Sequence, residues 1–225
     1  MMPIKILFNE NDYPVSPIEI TTKIHEFGGG YNEVVREIIE NSRKLDEKGE
    51  TFINCASRLL ANFKMTRSGP FHGNLEIKLR NIWNEVGESI VEINRSVMNS
   101  GLSRDRYILE INEKQLEELT AEIWKISKKI LPFSMGKISY GLVGASKILF
   151  SVLPEIILPV DNTQWLHLFK TVDVGDVIHV MVNDIMKWEE LTGRHLNELD
   201  PTKRLTTLPS IYNVMAMNAR PITLF

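Results

Sequence analysis

Several classes of protein are excluded by what this chain has little of. It holds one cysteine, Cys55, in 225 residues. A single thiol forms no internal disulfide framework, supplies no four-cysteine iron–sulfur cluster and fits a reducing cytoplasm. The five histidines (His25, His72, His167, His179 and His195) form no His-x-x-x-His pair and no His/Cys cluster with zinc spacing, so no metal site and no cofactor is expected. No apolar run is long enough to cross a bilayer. The nearest, Ile138 to Leu158, is broken by Lys147, Pro154 and Glu155, and no membrane association is expected. The N-terminus, Met1-Met2-Pro3-Ile4-Lys5, lacks the basic region and apolar stretch of a secretory signal. Strict apolar/polar alternation, internal repeats and Gly-x-Ser-x-Gly are also missing, which argues against a sheet protein, a solenoid and a serine hydrolase.

What is present is an ordinary globular composition, 43% hydrophobic and 24% charged, with helical periodicity throughout. Ser16-Pro17-Ile18-Glu19 combines an N-cap, a first-position proline and a capping-box glutamate. That helix is predicted to stop at Gly28-Gly29-Gly30; a second carries Val34, Val35, Ile38 and Ile39 and is closed by Gly49; a third carries Phe52, Cys55, Leu59, Leu60 and Phe63. A long helix is predicted from Leu75 to Met98, and another after Asn112 that Pro132 ends. Ser139 to Leu153, Asn162 to Phe169, Asp173 to Leu191 and a short element opening near Leu208 complete the set. Ile4 to Phe8 has strand character, but one strand makes no sheet. The expectation is one all-α globular domain over residues 1–225, a helical bundle in which the polar loop near 66–74 is a candidate boundary between two lobes.

The net charge of −3 is unevenly distributed. Between Lys125 and Lys170 six lysines face only Glu155 and Asp161, a surplus of four positive charges. Such a belt suits either a phosphate backbone or a solvated lysine face on one helix.

The segment from Ser139 carries the chemistry. On a helical wheel its apolar residues cover nearly the whole circumference, leaving a strip of Gly144, Lys147 and Ser151. A helix so apolar belongs in the interior. Lys147 is the sole charge between Lys137 and Glu155, so its ammonium either snorkels to solvent or enters a cleft, and a buried amine is the kind that becomes a nucleophile. Asp161 with Gln164 fits a capping box; a carboxylate held that way also suits stabilising positive charge opposite Lys147.

Gly141-Leu142-Val143-Gly144-Ala145-Ser146-Lys147 followed by Pro159-Val160-Asp161 and Trp165 is similar to the helix-hairpin-helix DNA glycosylases, especially the oxoguanine-excising branch, over residues 139–168. Its glycines read Gly-x-x-Gly, and Asp161 follows Lys147 by fourteen positions, about one helical turn fewer than in that family. The resemblance implies a helical scaffold that excises a modified base from DNA, with the target nucleotide rotated out of the duplex. It implies that Lys147 attacks the anomeric carbon of the deoxyribose, that Asp161 assists departure of the base, and that the backbone at Gly141 and Gly144 approaches a DNA phosphate. Lys137, Lys203 and Arg204 are further phosphate-contact candidates, otherwise solvated surface. His72 and Trp165 are candidates for the base pocket, otherwise an exposed loop histidine and a packing aromatic. The alternative is a non-enzymatic helical module that binds nucleic acid or a protein partner, with Asp161 a helix cap and Lys147 a snorkelling or paired lysine.

Overall fold

The computed structural model describes residues 5–27, 29–136, 141–161, 168–201, 205 and 207–219, and these are all-helical apart from turns and loops. In chain order the helices are α1 (Pro17–Glu26), α2 (Gly29–Ser42), α3 (Glu50–Asn62), α4 (Leu75–Asn99), α5 (Tyr107–Glu110), α6 (Glu113–Ser134), α7 (Leu142–Phe150), α8 (Val174–Thr192) and α9 (Leu208–Asn218). Short 3-10 turns occupy Gly69–Phe71, Arg104–Arg106 and Leu196–Leu199.

The local reasons for these boundaries are largely side-chain caps. The Ser16 hydroxyl accepts from the Glu19 amide at 3.2 Å and starts α1. Asn112 and Gln115 exchange side-chain-to-backbone bonds at 2.9 and 3.0 Å, a reciprocal capping box at the start of α6. Asp173 accepts from the Gly175 amide at 2.7 Å and opens α8, which Gly193, at φ 63°, closes. Several boundaries differ from expectation: α1 stops at Glu26, and Gly29 and Gly30 belong to α2 instead of ending α1. Gly49 does not close α2, which stops at Ser42; with φ 76° it opens α3, whose first amides (Glu50 and Thr51) bond the Asp46 carboxylate at 3.3 and 3.0 Å. Pro132 does not end α6, which runs on to Ser134. The missing Pro132 amide deprives the Lys128 carbonyl of its helical donor and its ring presses on the preceding turn, yet the helix continues for two more residues. The helix expected over Ser139–Leu153 is Leu142–Phe150. Most of the expected helix Asn162–Phe169 falls on 162–167, outside the described residues. The segment expected to have strand character forms a single antiparallel bridge, Phe8 with Pro14.

Helix α6 packs against α4, α7 and α8, while α3 packs against α2, α4 and α7, so α7 is wedged between the two. Helix α9 packs against α1 and the Leu196–Leu199 turn. Among the described residues, apolar side chains from each of α1 to α9 join one buried core. Among the described residues no helix is long and apolar enough to cross a membrane.

Candidate functional site

Helix α7 is fastened to the end of α6 by close contact at two glycines. Gly141 precedes α7 with φ 80°, and the Ser134 hydroxyl donates to its carbonyl at 2.8 Å. A methyl group at Gly144 would lie 2.7 Å from Ser134 Cβ and 2.8 Å from the Phe71 ring. One turn later Lys147 is only 4% exposed, and its ammonium stands 3.9 Å from the centroid of Phe63, the residue that ends α3. A cation over an aromatic face is stabilised by the ring quadrupole, the more so where water is excluded.

After Phe150 the chain turns back on α7. The Leu153 amide bonds the Leu149 carbonyl at 2.8 Å, and the Ile157 amide bonds that of Leu153 at 3.0 Å. Every residue from Gly144 to Val160 is buried, including Lys147, Ser151 and Glu155. Glu155 is neutralised by the Arg104 guanidinium. The returning segment meets α7 where the Ser146 hydroxyl lies 3.4 Å from the Val160 carbonyl. Lys147 and Asp161 are the next residues along from the two partners of this contact. Asp161 is half-buried.

The remaining candidates divide. His72 is exposed and its Nδ1 lies 3.2 Å from the Thr66 carbonyl; the Lys78 ammonium donates to the carbonyls of Pro70 and His72, pinning the loop whose Phe71 abuts Gly144. Gly141 and Gly144 are buried, with Ser134, Leu131 and Phe71 as close neighbours. Lys137, Trp165, Lys203 and Arg204 lie outside the described residues, as does Gln164. The α6 lysines of the basic belt are exposed: Lys125 pairs with Glu122 at 3.1 Å, Lys128 stands over Trp124 at 5.6 Å, and Lys129 donates to the Glu85 carbonyl of α4 at 3.3 Å. Cys55 is a core residue whose thiol is pushed up to about 12 by burial, which leaves it no thiolate character. Among the described residues no group of three or more His, Cys, Asp or Glu side chains could hold a metal ion.

Two surface clefts of about 340 Å³ flank α4. One is lined by Glu47, Trp83, Glu88, Glu92 and Arg95, the other by Glu92, Tyr107, Gln115, Glu118 and Glu122. Neither includes Lys147 or Asp161, and both carry several carboxylates.

The sequence reading missed the buried Asp184 carboxyl and two ion pairs that are buried or half-buried. Asp184 lies on the apolar stripe Val177, Met181, Ile185 and Trp188 of α8, and that interruption was a readable signal. The Arg104–Glu155 pair and the Arg106–Glu189 pair, the latter a two-pronged contact at 2.9 and 2.7 Å, had none, since they join distant parts of the chain. Burial pushes Glu189 up, but bonds from Arg106, Leu196 and His195 outweigh it and hold the carboxyl below the usual carboxylate range.

The fold and site define an all-helical protein with a buried, aromatic-backed lysine on its central helix. Comparison with protein-family models, curated proteins and solved structures returned no match.

Proposed function

We propose that the chain excises a modified base from DNA, with Lys147 as the amine nucleophile and Asp161 as its electrostatic partner. The observation that supports this reading is the return of the chain onto α7: Ser146, next to Lys147, meets the carbonyl of Val160, next to Asp161, and the Lys147 ammonium lies over the Phe63 ring. The reaction requires the buried site to open and the Lys147 ammonium, held over the Phe63 ring, to lose a proton to water. The neutral amine then attacks C1′ of the nucleotide, and the C1′–N bond breaks with its electron pair leaving on the base. The sugar ring then opens between C1′ and O4′ to give an imine. The two amine protons end on the departing base and on O4′, and water releases the amine again. A carboxylate next to the site stabilises the positive charge that builds on the sugar.

Borohydride reduces such an imine to a stable secondary amine. Incubation with duplexes carrying oxidised, deaminated or alkylated bases, or an abasic site, is expected to trap a covalent protein–DNA adduct. Lys147→Ala abolishes it, and Asp161→Asn slows its formation by about 100-fold or more. Absence of an adduct from folded wild-type protein across this panel overturns the proposal.

A second reading, a non-enzymatic module that docks a protein partner, draws support from the carboxylates of the two clefts flanking α4. Those surfaces repel phosphate and suit a basic partner. Lack of DNA binding at low ionic strength, where phosphate contacts are strongest, would favour it.

A further inference from the structure

Residues 5–15 form a loop closed on itself and strapped across α8. The Val15 amide bonds the Leu7 carbonyl at 2.8 Å, the Asn9 amide bonds the Tyr13 carbonyl at 2.9 Å, and Lys5 pairs with Asp12 at 2.9 Å. Ile6, Leu7 and Phe8 are buried. Two side chains one turn apart on α8 hold the loop. The Trp188 indole donates to the Val15 carbonyl at 2.8 Å, and Asp184 accepts the Ile6 and Leu7 amides at 2.8 and 3.0 Å. The Tyr212 hydroxyl of α9 donates to the same Asp184 oxygen at 3.0 Å. All three donors therefore converge on Oδ2, while Oδ1 is buried without a hydrogen-bond partner.

We propose that Asp184 is a proton-operated latch, its neutral carboxyl holding the 5–15 strap more tightly than its carboxylate does. A buried anion with one bare oxygen is costly; a proton on that oxygen removes the charge and leaves Oδ2 to its three donors, whose bonds weaken but are not lost. Burial raises the Asp184 carboxyl to about 6, against the opposing pull of the Leu7 amide, the Tyr212 hydroxyl, the Ile6 amide and the Lys5 charge. The charged and titratable groups facing it are Lys5 on the strap and Tyr212 on α9. Tyr212 is itself raised well above the usual phenol range by burial and by the Asp184 charge. On α8, Lys187 pairs with Glu190 and Glu189 with Arg106.

Opening the strap returns Asp184 to water and to an ordinary carboxylate range, so the closed state binds the proton more tightly. Stability of the closed strap is thus greatest in mild acid, falls as pH rises towards 6, and levels off above it. Residue-resolved amide exchange on the full chain, corrected for intrinsic rates, is expected to show protection of Ile6 and Leu7 falling about tenfold between pH 5 and 7. Asp184→Asn removes that dependence. The wild-type Asp184 side-chain carbon, followed by carbon-13 NMR, titrates near 6, and Tyr212→Phe moves its midpoint upward by deleting a donor to the anion. Protection that does not change with pH, an equal change in Asp184→Asn, or a carboxyl titrating near 4 overturns the latch. The carbon-13 titration decides the matter if Asp184→Asn does not fold.

Discussion

Gly144 leaves no space for even one methyl group, since Ser134 Cβ and the Phe71 ring would stand 2.7 and 2.8 Å from it. Gly141 is doubly constrained, with φ 80° and the Leu131 carbonyl 2.9 Å from where a Cβ would go. Gly193, at φ 63° but with open space around it, isolates the cost of backbone strain alone. Alanine at Gly193 is therefore expected to cost about 1 kcal/mol. At Gly144 it forces α6 and α7 apart at a cost of about 1–3 kcal/mol, and at Gly141 both penalties combine. Urea unfolding of the three variants tests the ordering, and a neutral Gly144→Ala would show that α7 does not pack on α6 as described. These glycines also mark the limit of what sequence reveals at this scale. A Gly-x-x-Gly spacing announces that the backbone approaches something closely, without saying whether that is a phosphate or another helix; the close neighbours described are protein. Lys147 was legible as an isolated charge on an apolar helix, but the Phe63 ring beneath its ammonium was not, because that contact joins α3 to α7 across 84 positions of chain.

Individual helices were the most legible part of the molecule, because their starts are written in short side-chain-to-backbone contacts. The reciprocal Asn112–Gln115 bonds fix the first turn of α6, the helix against which α4, α7 and α8 all pack. Asn112→Ala leaves the Gln115 amide without its partner and is expected to cost about 1 kcal/mol. Replacement by Ser or Asp restores most of that. A denaturation midpoint that did not move would mean that packing alone fixes the start of α6. The long helix read as Leu75–Met98 is Leu75–Asn99, its buried stripe running from Leu79 to Val97 with Asn94 as its polar member. Reading failed where a breaker has more than one use: Gly49 serves as a left-handed entry to α3, and Pro132 is absorbed in the last turn of α6. The burial of all of α7 but Val143 followed from its composition, whereas the turn that doubles 151–160 back onto it is set by the neighbours it meets.

Over the whole molecule, the Arg104–Arg106 turn acts as a brace between regions with no local relation in the chain. Arg104 neutralises Glu155 in the middle of the buried return segment, and Arg106 forks onto Glu189 of α8. The Glu155 side chain is 3% exposed and that of Arg104 15%, so the pair has little water to fall back on. Removing one partner leaves the other charge stranded in the interior; removing both removes the desolvation cost as well. Glu155→Ala is accordingly expected to destabilise the fold by about 3–5 kcal/mol. The double replacement Arg104→Met with Glu155→Leu, which keeps the volume and discards the charges, is expected to be far milder, near neutral or even stabilising. Thermal and urea unfolding of the single and double variants form a cycle that checks this, and equal losses in both would contradict it. If the double variant folds as well as wild type, the charges are not there for stability. Its rate of adduct trapping then reports whether they serve to hold the 151–160 return, and with it Asp161, against the helix that carries Lys147.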